Sequence, residues 1–280
     1  MSASLPRGMD AEVSSAESRP ELELPNGYDV LRLLAPNPGP LTLSGTNTWV
    51  VGRGPAWVVD PGPLVESHLE RLVAAIDARG GLGGVALTHD HPDHGAAAGA
   101  LLERRPAPLA GGRGDVDVAL AEGTRFGPFQ ALSTPGHAPD HFALIADGAC
   151  FTGDAVLGDG SVFISPHPGA MSGYLSALGR LRGRDDLDVL CPGHGPSVWD
   201  VRGKLDEYIG HRADRERRLV AALGEGARTV SELLDAAWPE VPDARRRFAA
   251  ATLAAHLDRL EEEGALPAGV ERPAFEGAVW

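Results

Sequence analysis

Short apolar runs separated by Gly and Pro turns make up the chain between residues 29 and 60. Three of these runs, at residues 29–34, 45–52 and 56–60, have the length of strands, and the turns between them are short. Such spacing favours an antiparallel meander. The pattern then changes to helical spacing over residues 66–79, and Gly80-Gly81 ends the predicted helix.

Further short apolar runs predict a series of strands and helices. Strands are expected at residues 84–88, around 116 and 126, and at 129–132, 141–146, 149–152 and 187–191, with helices at 94–105 and 171–182. Four strands end in a small-residue turn that carries histidine or aspartate, at Thr88-His89, Gly136-His137, Gly153-Asp154 and Gly193-His194. Strand ends on a rigid sheet can bring such distant residues into one site.

The C-terminal segment is predicted to be helical. Helices are expected over residues 204–223, 232–238 and 244–263, and Thr229 with Glu232 forms a capping-box pattern before the second of these. Leu266 and Val270 follow as a short predicted wing. Helix, turn, helix and wing resemble a small winged-helix domain.

Composition and charge narrow the classes of partner. The chain has 280 residues and a formal net charge of −14, which argues against a general nucleic-acid or anionic-membrane surface. No apolar run approaches the length that spans a membrane. Cys150 and Cys191 lack ligand-type spacing and each adjoins an apolar run, so buried free thiols are predicted rather than a disulfide framework.

The N-terminal residues 1–25 are rich in Ser, Glu, Ala and Pro, and they lack the apolar segment of a secretory signal. This composition predicts a disordered tail. Together with the free thiols, it leads us to expect a cytoplasmic, reducing location.

The highest density of chemically active side chains lies directly after a predicted strand, in residues 88–95. Three histidines and two aspartates fall within the six residues 89–94. Histidines can also cluster on a solvated loop, and Asp-His-Pro-Asp is favourable turn chemistry. In an extended loop, however, His89 and His91 point to the same side, while Asp93 and His94 begin a new direction. The spacing therefore predicts two ligand sets, or half of a two-metal site.

Five motifs together resemble the metallo-β-lactamase fold superfamily. They are Asp60-Pro-Gly, residues 88–95, Thr134-Pro-Gly-His137, Thr152-Gly-Asp154 and Pro192-Gly-His194, in the order of that family. The resemblance covers about residues 27–199. It implies an α/β fold, in which residues 26–200 form a four-layer αβ/βα sandwich with metal ions at one edge. Residues 201–280 would form a small C-terminal helical winged-helix domain.

The same resemblance implies a ligand for each position of a dinuclear site. One metal would take His89, His91 and His137. The second would take Asp93, His94 and His194, with Asp154 bridging the two ions. Asp60 would orient the ligand loops from behind.

The residue type at position 91 bears on the chemistry. Similar di-iron redox proteins carry Glu there, so the imidazole of His91 favours a hydrolytic site with two Zn²⁺ ions. Imidazole and carboxylate ligands also accept Mn²⁺ or Fe. The resemblance implies that a metal-bridging hydroxide attacks a carbonyl carbon or a phosphorus atom, and that Asp93 helps to orient it.

Two residues outside the ligand motifs are candidate substrate contacts. Asn47 lies near the expected edge of the site, although small polar residues at this point are also common turn formers. His167, between two prolines, either reaches the substrate or is a plain loop residue. His68, by contrast, is predicted to be solvated on a surface helix.

The whole chain resembles the beta-lactamase-like protein 2 group of this superfamily, through residues 45–49, residues 134–141, His211-Arg212 and Arg215-Glu216. This resemblance implies either cleavage of single-stranded RNA or hydrolysis of esters and thioesters. Residues 202–280 contain 12 Arg and Lys against 15 Asp and Glu, a net charge of −3, which disfavours a C-terminal domain that reads nucleic acid. We expect this segment to wall the active-site groove.

Hydrolysis of a small-molecule ester or thioester is the favoured interpretation, because the chain is acidic and lacks an obvious basic groove. A metal-dependent single-strand endoribonuclease, with RNA as its substrate, is the close alternative. A mono-iron persulfide dioxygenase shares much of the ligand motif, and a non-catalytic nucleic-acid-binding regulator would use only the C-terminal domain. These patterns do not determine the oligomeric state.

Overall fold

The structure of the protein, a computed structural model, describes residues 21–23 and 29–274. Of the predicted disordered tail, residues 1–20 and 24–25 lie outside the described residues. Residues 21–23 differ from that prediction, because they form strand β1 (Glu21–Glu23), which pairs antiparallel with β2 (Val30–Leu34). The first sheet thus begins earlier in the chain than the composition indicates.

Seven strands form the first sheet, in the order in which they occur along the chain. After β1 and β2 these are β3 (Asn47–Val51), β4 (Ala56–Val59), β5 (Leu82–Ala86), β6 (Leu109–Gly111) and β7 (Val118–Ala119). The first four pair antiparallel, which confirms the predicted meander, and β4 to β7 pair parallel. Helix α1 (Glu66–Ala78) makes the crossover from β4 to β5 that a parallel pair requires.

The single helix predicted over residues 94–105 is divided in two. Its parts are α2 (Pro92–Gly95) and α3 (Ala98–Arg104). Between them, the N–H of Ala97 donates to the carbonyl of Gly62 at 3.0 Å, and the N–H of Gly62 donates to the carbonyl of His94 at 2.8 Å. These bonds to the turn after β4 replace bonds within the helix, so a tertiary contact interrupts it.

The second sheet has five strands in the order β12-β11-β10-β9-β8. They are β8 (Arg125–Phe126), β9 (Phe129–Ser133), β10 (Phe142–Ala146), β11 (Ala149–Gly153) and β12 (Val189–Pro192). The pair formed by β11 and β12 is parallel and the other pairs are antiparallel. Accordingly, helix α4 (Ala170–Arg182) provides the crossover between those two strands.

Apolar clusters show that the sheets and helices form four layers. Between the sheets, the ring of Phe151 packs edge-to-face on Trp49 and on Phe129, with centroids 5.9 and 5.7 Å apart. Helix α1 covers the outer face of the first sheet, and α4 covers that of the second. Strands β3, β10 and β11 are therefore buried at every position. The predicted α/β sandwich is confirmed.

Three helices follow the second sheet: α5 (Val201–Gly224), α6 (Val230–Ala237) and α7 (Arg246–Glu262). The predicted capping box is present, with Thr229 and Glu232 each accepting the other's backbone N–H. No strand follows α7 up to residue 274, and Leu266 and Val270 pack on the helices instead of forming a wing. No helix of the described chain, including the 24-residue α5, is apolar enough to cross a membrane.

Helix α5 belongs to two cores. Its first half places Val201, Leu205 and Tyr208 in the cluster that covers the second sheet. Its second half, with Leu219 and Leu223, packs against α6 and α7. The domain boundary after residue 200 stays a prediction, because it falls at the start of a helix that both parts share. This shared helix holds the C-terminal unit beside the sandwich.

Two predictions about individual side chains have opposite outcomes. Cys150 and Cys191 are free and buried, as predicted, and burial raises the pKa of the Cys150 thiol to about 12. His68, predicted to be solvated, is instead fully buried. Its Nε2 lies 2.9 Å from the hydroxyl of Thr48, because the face of α1 that carries His68 turns towards the first sheet.

Candidate metal centre

Strand ends of both sheets meet at one edge of the sandwich and bring the predicted ligand residues together. Four of them each follow a strand: His89 after β5, His137 after β9, Asp154 after β11 and His194 after β12. The other three lie in the segment that contains α2: His91, Asp93 and His94. Six of the seven are buried, and only Asp93 is partly exposed.

The donor atoms fall into groups that match the predicted ligand sets. One group comprises His89, His91 and His137, and another comprises Asp93, His94 and His194. Within each group the donor atoms lie within 4.8 Å of one another. A third group, with the same spacing, joins the two sets through His89, His94 and Asp154.

Asp154 lies between the two sets. Its Oδ2 is 3.6 Å from Nε2 of His137 in the first set and 3.3 Å from Nε2 of His194 in the second. Its Oδ1 is 3.5 Å from Nε2 of His94. A carboxylate in contact with both sets is the arrangement expected of a ligand that two ions share.

The cluster fits a metal, because several donor atoms have no other partner. Nε2 of His89, Nε2 of His94 and Oδ1 of Asp154 are buried without a hydrogen bond to the described chain. Leaving such atoms unsatisfied costs about 1–3 kcal/mol each. The spacings of 3.3–3.6 Å around Asp154 are close to the edge of a tetrahedron with Zn–N bonds of about 2.0–2.1 Å, roughly 3.3 Å.

Gly193 provides the space that this cluster needs. A Cβ atom at this position would lie 2.5 Å from both Oδ1 of Asp154 and Cε1 of His94. The Gly193 N–H donates to the carbonyl of Gly153 at 2.8 Å, so the turns after β11 and β12 are held close together. Only a residue without a side chain permits this approach.

Three histidines use Nδ1 outside the cluster and thereby direct Nε2 into it. Nδ1 of His94 lies 2.8 Å from Oδ2 of Asp60. Nδ1 of His194 lies 3.1 Å from the carbonyl oxygen of Gly45, and Nδ1 of His137 lies 3.2 Å from that of Phe163. Donation from Nδ1 leaves the lone pair of Nε2 for a ligand. Such outer partners orient metal-binding histidines and set their tautomer.

Asp60 connects both ligand sets. Its carboxylate accepts hydrogen bonds from the N–H of Thr88 at 2.8 Å, from the Thr88 hydroxyl at 2.7 Å and from His94 at 2.8 Å. The same Thr88 oxygen lies 3.0 Å from Nδ1 of His89, so it accepts from that ring. Asp60 therefore positions one histidine of each set from behind.

The histidines of the cluster fall into two kinds, with lowered and with raised pKa values. Burial lowers the pKa of His91 to about 2 and that of His89 well below its usual value, so both rings are neutral. Burial also disfavours charge on His94 and His194, but the carboxylates of Asp154 and Asp93 outweigh it and raise their pKa values to about 9 and about 11. Binding of a divalent cation would displace these protons.

A cavity of about 390 Å³ opens onto the donor groups. Five of the seven donor residues line it: His91, Asp93, His137, Asp154 and His194. Leu41, Leu157, Val162 and Phe163 contribute apolar walls. Arg245, just before α7, is the only Lys or Arg that lines it within the described residues. The volume is in the range of about 300–1,000 Å³ that is usual for small-molecule sites.

The C-terminal helices hold one wall of this cavity, the loop of residues 157–164. The phenol oxygen of Tyr208 lies 3.0 Å from both the N–H of Leu157 and the carbonyl of Gly160. Two further side chains bond to the loop backbone: Arg212 donates to the carbonyl of Val162, and Thr252 accepts from the N–H of Ile164. The C-terminal segment therefore borders the site, as the sequence leads us to expect.

The structure corrects the interpretation of Asn47. Its side chain is fully buried and donates to the carbonyls of Pro192 and Gly195 at 2.9 and 2.8 Å, so it braces the turn that carries His194. The neighbouring Thr46 approaches the site instead, with its hydroxyl 3.3 Å from Oδ2 of Asp93. Successive side chains of an extended segment face opposite sides, which separates the two roles.

Some site residues were missed by sequence reasoning. Thr46 and Thr88 lie inside the quoted motifs, so their position beside ligands was an available signal. Phe163 and Arg245 lie in no motif, and only the fold brings them to the cavity. His167 does not line the cavity, and its contact with substrate stays a prediction.

A four-layer αβ/βα sandwich with paired His and Asp donor groups at one edge defines a class of metal-dependent hydrolases. A sequence profile described as the Metallo-beta-lactamase superfamily matches residues 41–129 and 115–194. The chain belongs to this superfamily, and it is accordingly a metal-binding hydrolase.

Similar proteins extend the match beyond the sandwich. The Beta-lactamase-like protein 2 homolog of Caenorhabditis elegans is 31% identical over 274 residues, or 90% of this chain and 89% of that protein. The Atrochrysone carboxyl ACP thioesterase of Aspergillus chevalieri is 33% identical over 239 residues, or 76% of this chain and 74% of that protein. Metallo-beta-lactamase family protein TTHA1429 from Thermus thermophilus, whose crystal structure is known, is 25% identical in sequence to this chain. Its structure superposes with a TM-score of 0.69, and the match covers 85% of this chain and 94% of that one.

Proposed function

We propose that the protein is a dinuclear zinc-dependent hydrolase of ester or thioester substrates. The observation that carries this proposal is the position of Asp154, whose carboxylate oxygens lie between 3.3 and 3.6 Å from histidine nitrogens of both sets. The carboxylate contacts both sets rather than one, and this favours two ions over a single ion. The apolar cavity directly above it supports an organic substrate.

In this proposal the two ligand sets hold one ion each. His89, His91 and His137 bind the first, and Asp93, His94 and His194 bind the second, with Asp154 shared. Imidazole and carboxylate donors without thiolate suit Zn²⁺, although Mn²⁺ and Fe accept them as well. When bound, the ions supply Lewis acidity that lowers the pKa of water towards about 7 and polarises a carbonyl.

Asp93 is the residue that we assign to orienting the attacking water. Its side chain is 28% exposed and lines the cavity. Burial would raise its pKa, but His94 and His194 outweigh this and lower the pKa to about 2, so the carboxylate is ionised at neutral pH. Thr46 donates to its Oδ2 and restricts its rotation. An ionised, fixed carboxylate can accept a hydrogen bond from water.

The walls of the cavity favour an ester or thioester over RNA. Proteins that bind single-stranded RNA line a groove with several cationic side chains for the phosphates. Within the described residues this cavity has only Arg245. The similarity to a thioesterase over three quarters of the chain supports the same choice.

Elemental analysis and a substrate panel test the proposal on one purified sample. We expect two zinc ions per chain and faster hydrolysis of an aryl ester or a thioester than of a bis-aryl phosphodiester or single-stranded RNA. Cleavage of RNA alone would make the endoribonuclease interpretation correct. One iron per chain with oxidation of a persulfide would establish the dioxygenase instead.

Two ligand variants and a control test the assignment of the residues. His89→Ala and Asp154→Ala are expected to abolish hydrolysis and to lower the bound metal, because each removes a donor from the cluster. His211→Ala, in α5 and outside the cavity lining, should keep both. Full activity of either ligand variant after chelation and dialysis would show that the assignment is wrong.

A further inference from the structure

A second cavity, of about 190 Å³, adjoins the metal-centre cavity on the side of the C-terminal helices. The two cavities are direct neighbours, because Leu41, Val162, Phe163 and Arg245 line both. We call the second cavity the distal groove and define it by six apolar residues: Leu41, Val162, Phe163, Trp238, Val241 and Phe248. It extends the substrate site away from the metal ligands.

Phe163 shows how close the distal groove begins to the reacting centre. Its ring centroid is 5.1 Å from that of His137 and 5.6 Å from that of Phe248 in α7. A molecule with its carbonyl at the donor groups can therefore extend an apolar chain past Phe163 and reach the helices. Burial of such a chain is favourable by about 0.8 kcal/mol per methylene group.

The charges around the distal groove favour an anion. No Asp or Glu lines it within the described part of the chain, whereas Arg212 and Arg245 do. Arg212 is 2% exposed, and its buried Nε has no hydrogen-bond partner in that part. This local positive charge stands out in a protein with a net charge of −14.

Arg245 differs from the two arginines that follow it. Arg246 pairs with Asp235 at 2.6 Å, and Arg247 stacks over the ring of Phe248 at 4.6 Å. The guanidinium of Arg245 is exposed and makes neither an ion pair nor a hydrogen bond with any described residue. It is therefore able to bind a charged group of a ligand at the junction of the two cavities.

We propose that the distal groove binds the acyl chain of the substrate and that Arg245 binds a carboxylate on that chain. The substrate class is thus an apolar acyl ester or thioester with an anionic acyl half. This inference rests on the proposed function, which places the cleaved carbonyl at the donor groups. The distal groove is lined by apolar side chains, so it is assigned to the acyl half, which we take to be the apolar half of the substrate. Arg245 is the cation that lines both the groove and the metal-centre cavity.

Calorimetry with three non-hydrolysable thioethers on the metal-loaded protein tests the inference. In each compound a methylene group replaces the thioester carbonyl. The first is S-hexyl N-acetylcysteamine, which is uncharged. The second is S-(5-carboxypentyl) N-acetylcysteamine, with a carboxylate on the acyl half. The third is S-hexyl mercaptopropionate, with a carboxylate on the thiol half.

We expect the acyl-side carboxylate to tighten binding about two- to fivefold over the uncharged compound, as for a partly exposed ion pair. Arg245→Gln should remove this gain. Arg217→Gln, which removes the same charge at a 71% exposed side chain outside both cavities, should retain it. A gain that survives Arg245→Gln, no gain in the wild type, or a gain limited to the thiol-side carboxylate would each overturn the proposal.

Val241→Phe tests the apolar part of the groove. Val241 is partly exposed, so a larger side chain can be accommodated in the fold while it occupies the groove. We expect the affinity for the S-hexyl compound to fall at least about tenfold relative to an S-ethyl analogue. An unchanged ratio in a variant with wild-type thermal unfolding would place the chain elsewhere.

Binding measurements also separate this inference from the proposed function. If neither esters nor thioesters are hydrolysed but Arg245-dependent binding is found, the proposed function fails and the binding site stands. If thioesters are hydrolysed but binding of the analogue with the acyl-side carboxylate does not depend on Arg245, the proposed function stands and the assignment of the acyl site is wrong.

Discussion

The carbonyl oxygen of Phe163 lies 3.2 Å from Nδ1 of His137, so the loop of residues 157–164 is bonded directly to a predicted metal ligand. The same loop is held on its other side by Tyr208 and Thr252 of the C-terminal helices. Changes in those helices should therefore reach the metal centre. The loop is the physical link between the two parts of the protein.

Tyr208→Phe should loosen this link. The change removes the hydroxyl that bonds to both Leu157 and Gly160 and leaves the buried Leu157 N–H without a partner. We expect a loss of about 1–3 kcal/mol in the free energy of unfolding and a higher KM. Urea unfolding and steady-state kinetics measure both. Stability and KM equal to those of the wild type would show that the loop does not depend on this bond.

Asp60→Asn should weaken metal binding by about 10–100-fold, because an outer partner of two histidines is lost. The amide oxygen of asparagine can still accept from the Thr88 N–H, but an amide nitrogen in the place of Oδ2 cannot accept from the Thr88 hydroxyl and from His94. Asp60 has a φ of 52°, a conformation that asparagine also tolerates, so the backbone should not change. Competition with a chromogenic chelator measures the affinity.

The chain provides a matched control for that variant. Asp147 also has a positive φ, of 44°, but lies exposed in the turn between β10 and β11. Asp147→Asn should leave metal affinity unchanged. If both variants lose affinity equally, the effect does not come from the bonds of Asp60.

Gly193→Ala should disrupt the cluster, since its Cβ would lie 2.5 Å from Asp154 and His94. We expect at least tenfold weaker metal binding and a destabilisation of about 1–3 kcal/mol, as for overpacking. Gly210→Ala in α5 is the control, because nothing lies within 4 Å of the added atom. It should stabilise the helix by about 0.5–1 kcal/mol. Elemental analysis and thermal unfolding distinguish the two outcomes.

His68 should make stability depend on pH. Burial, followed by the charge of Arg71, lowers its pKa from 6.5 to about 4 in the folded state. Above pH 6.5 the ring is neutral in both states and has no effect. Between pH 6.5 and 4 the unfolded state binds the proton first, so folding is destabilised by up to about 1.4 kcal/mol per pH unit.

His68→Gln should remove this contribution. The variant loses stability at pH 8, because it changes a buried contact with Thr48, but its stability should fall less steeply between pH 6.5 and 4. Chemical unfolding at several pH values gives the two slopes. Parallel curves over that window would mean that His68 does not titrate as its burial implies.

The predicted ligands were accessible from sequence because their signals are local. Each of His89, His137, Asp154 and His194 follows an apolar strand at a Gly or Thr turn, and that context is readable without a fold. The capping box at Thr229 is local in the same sense, and the structure confirms it. Metal identity, substrate and ligand roles remain predictions for experiment.

Long-range packing explains what sequence reasoning got wrong. Asn47 was expected to contact substrate or to form a turn, and His68 to be solvated, yet both are fully buried against partners 20 or more residues away. The helix over residues 94–105 is interrupted because Gly62 takes its hydrogen bonds. The strand β6 was missed because it is only three residues long and depends on pairing with β5 and β7.

The sequence by itself determined that strands end in histidine and aspartate turns and that these residues suit a metal. Only the tertiary structure decided that Asp154 contacts both ligand sets, that Phe163 bonds to His137, and that Arg245 faces the cavity. The reason is physical. Residue type and spacing set local geometry and donor chemistry, whereas distances between segments depend on how sheets and helices pack.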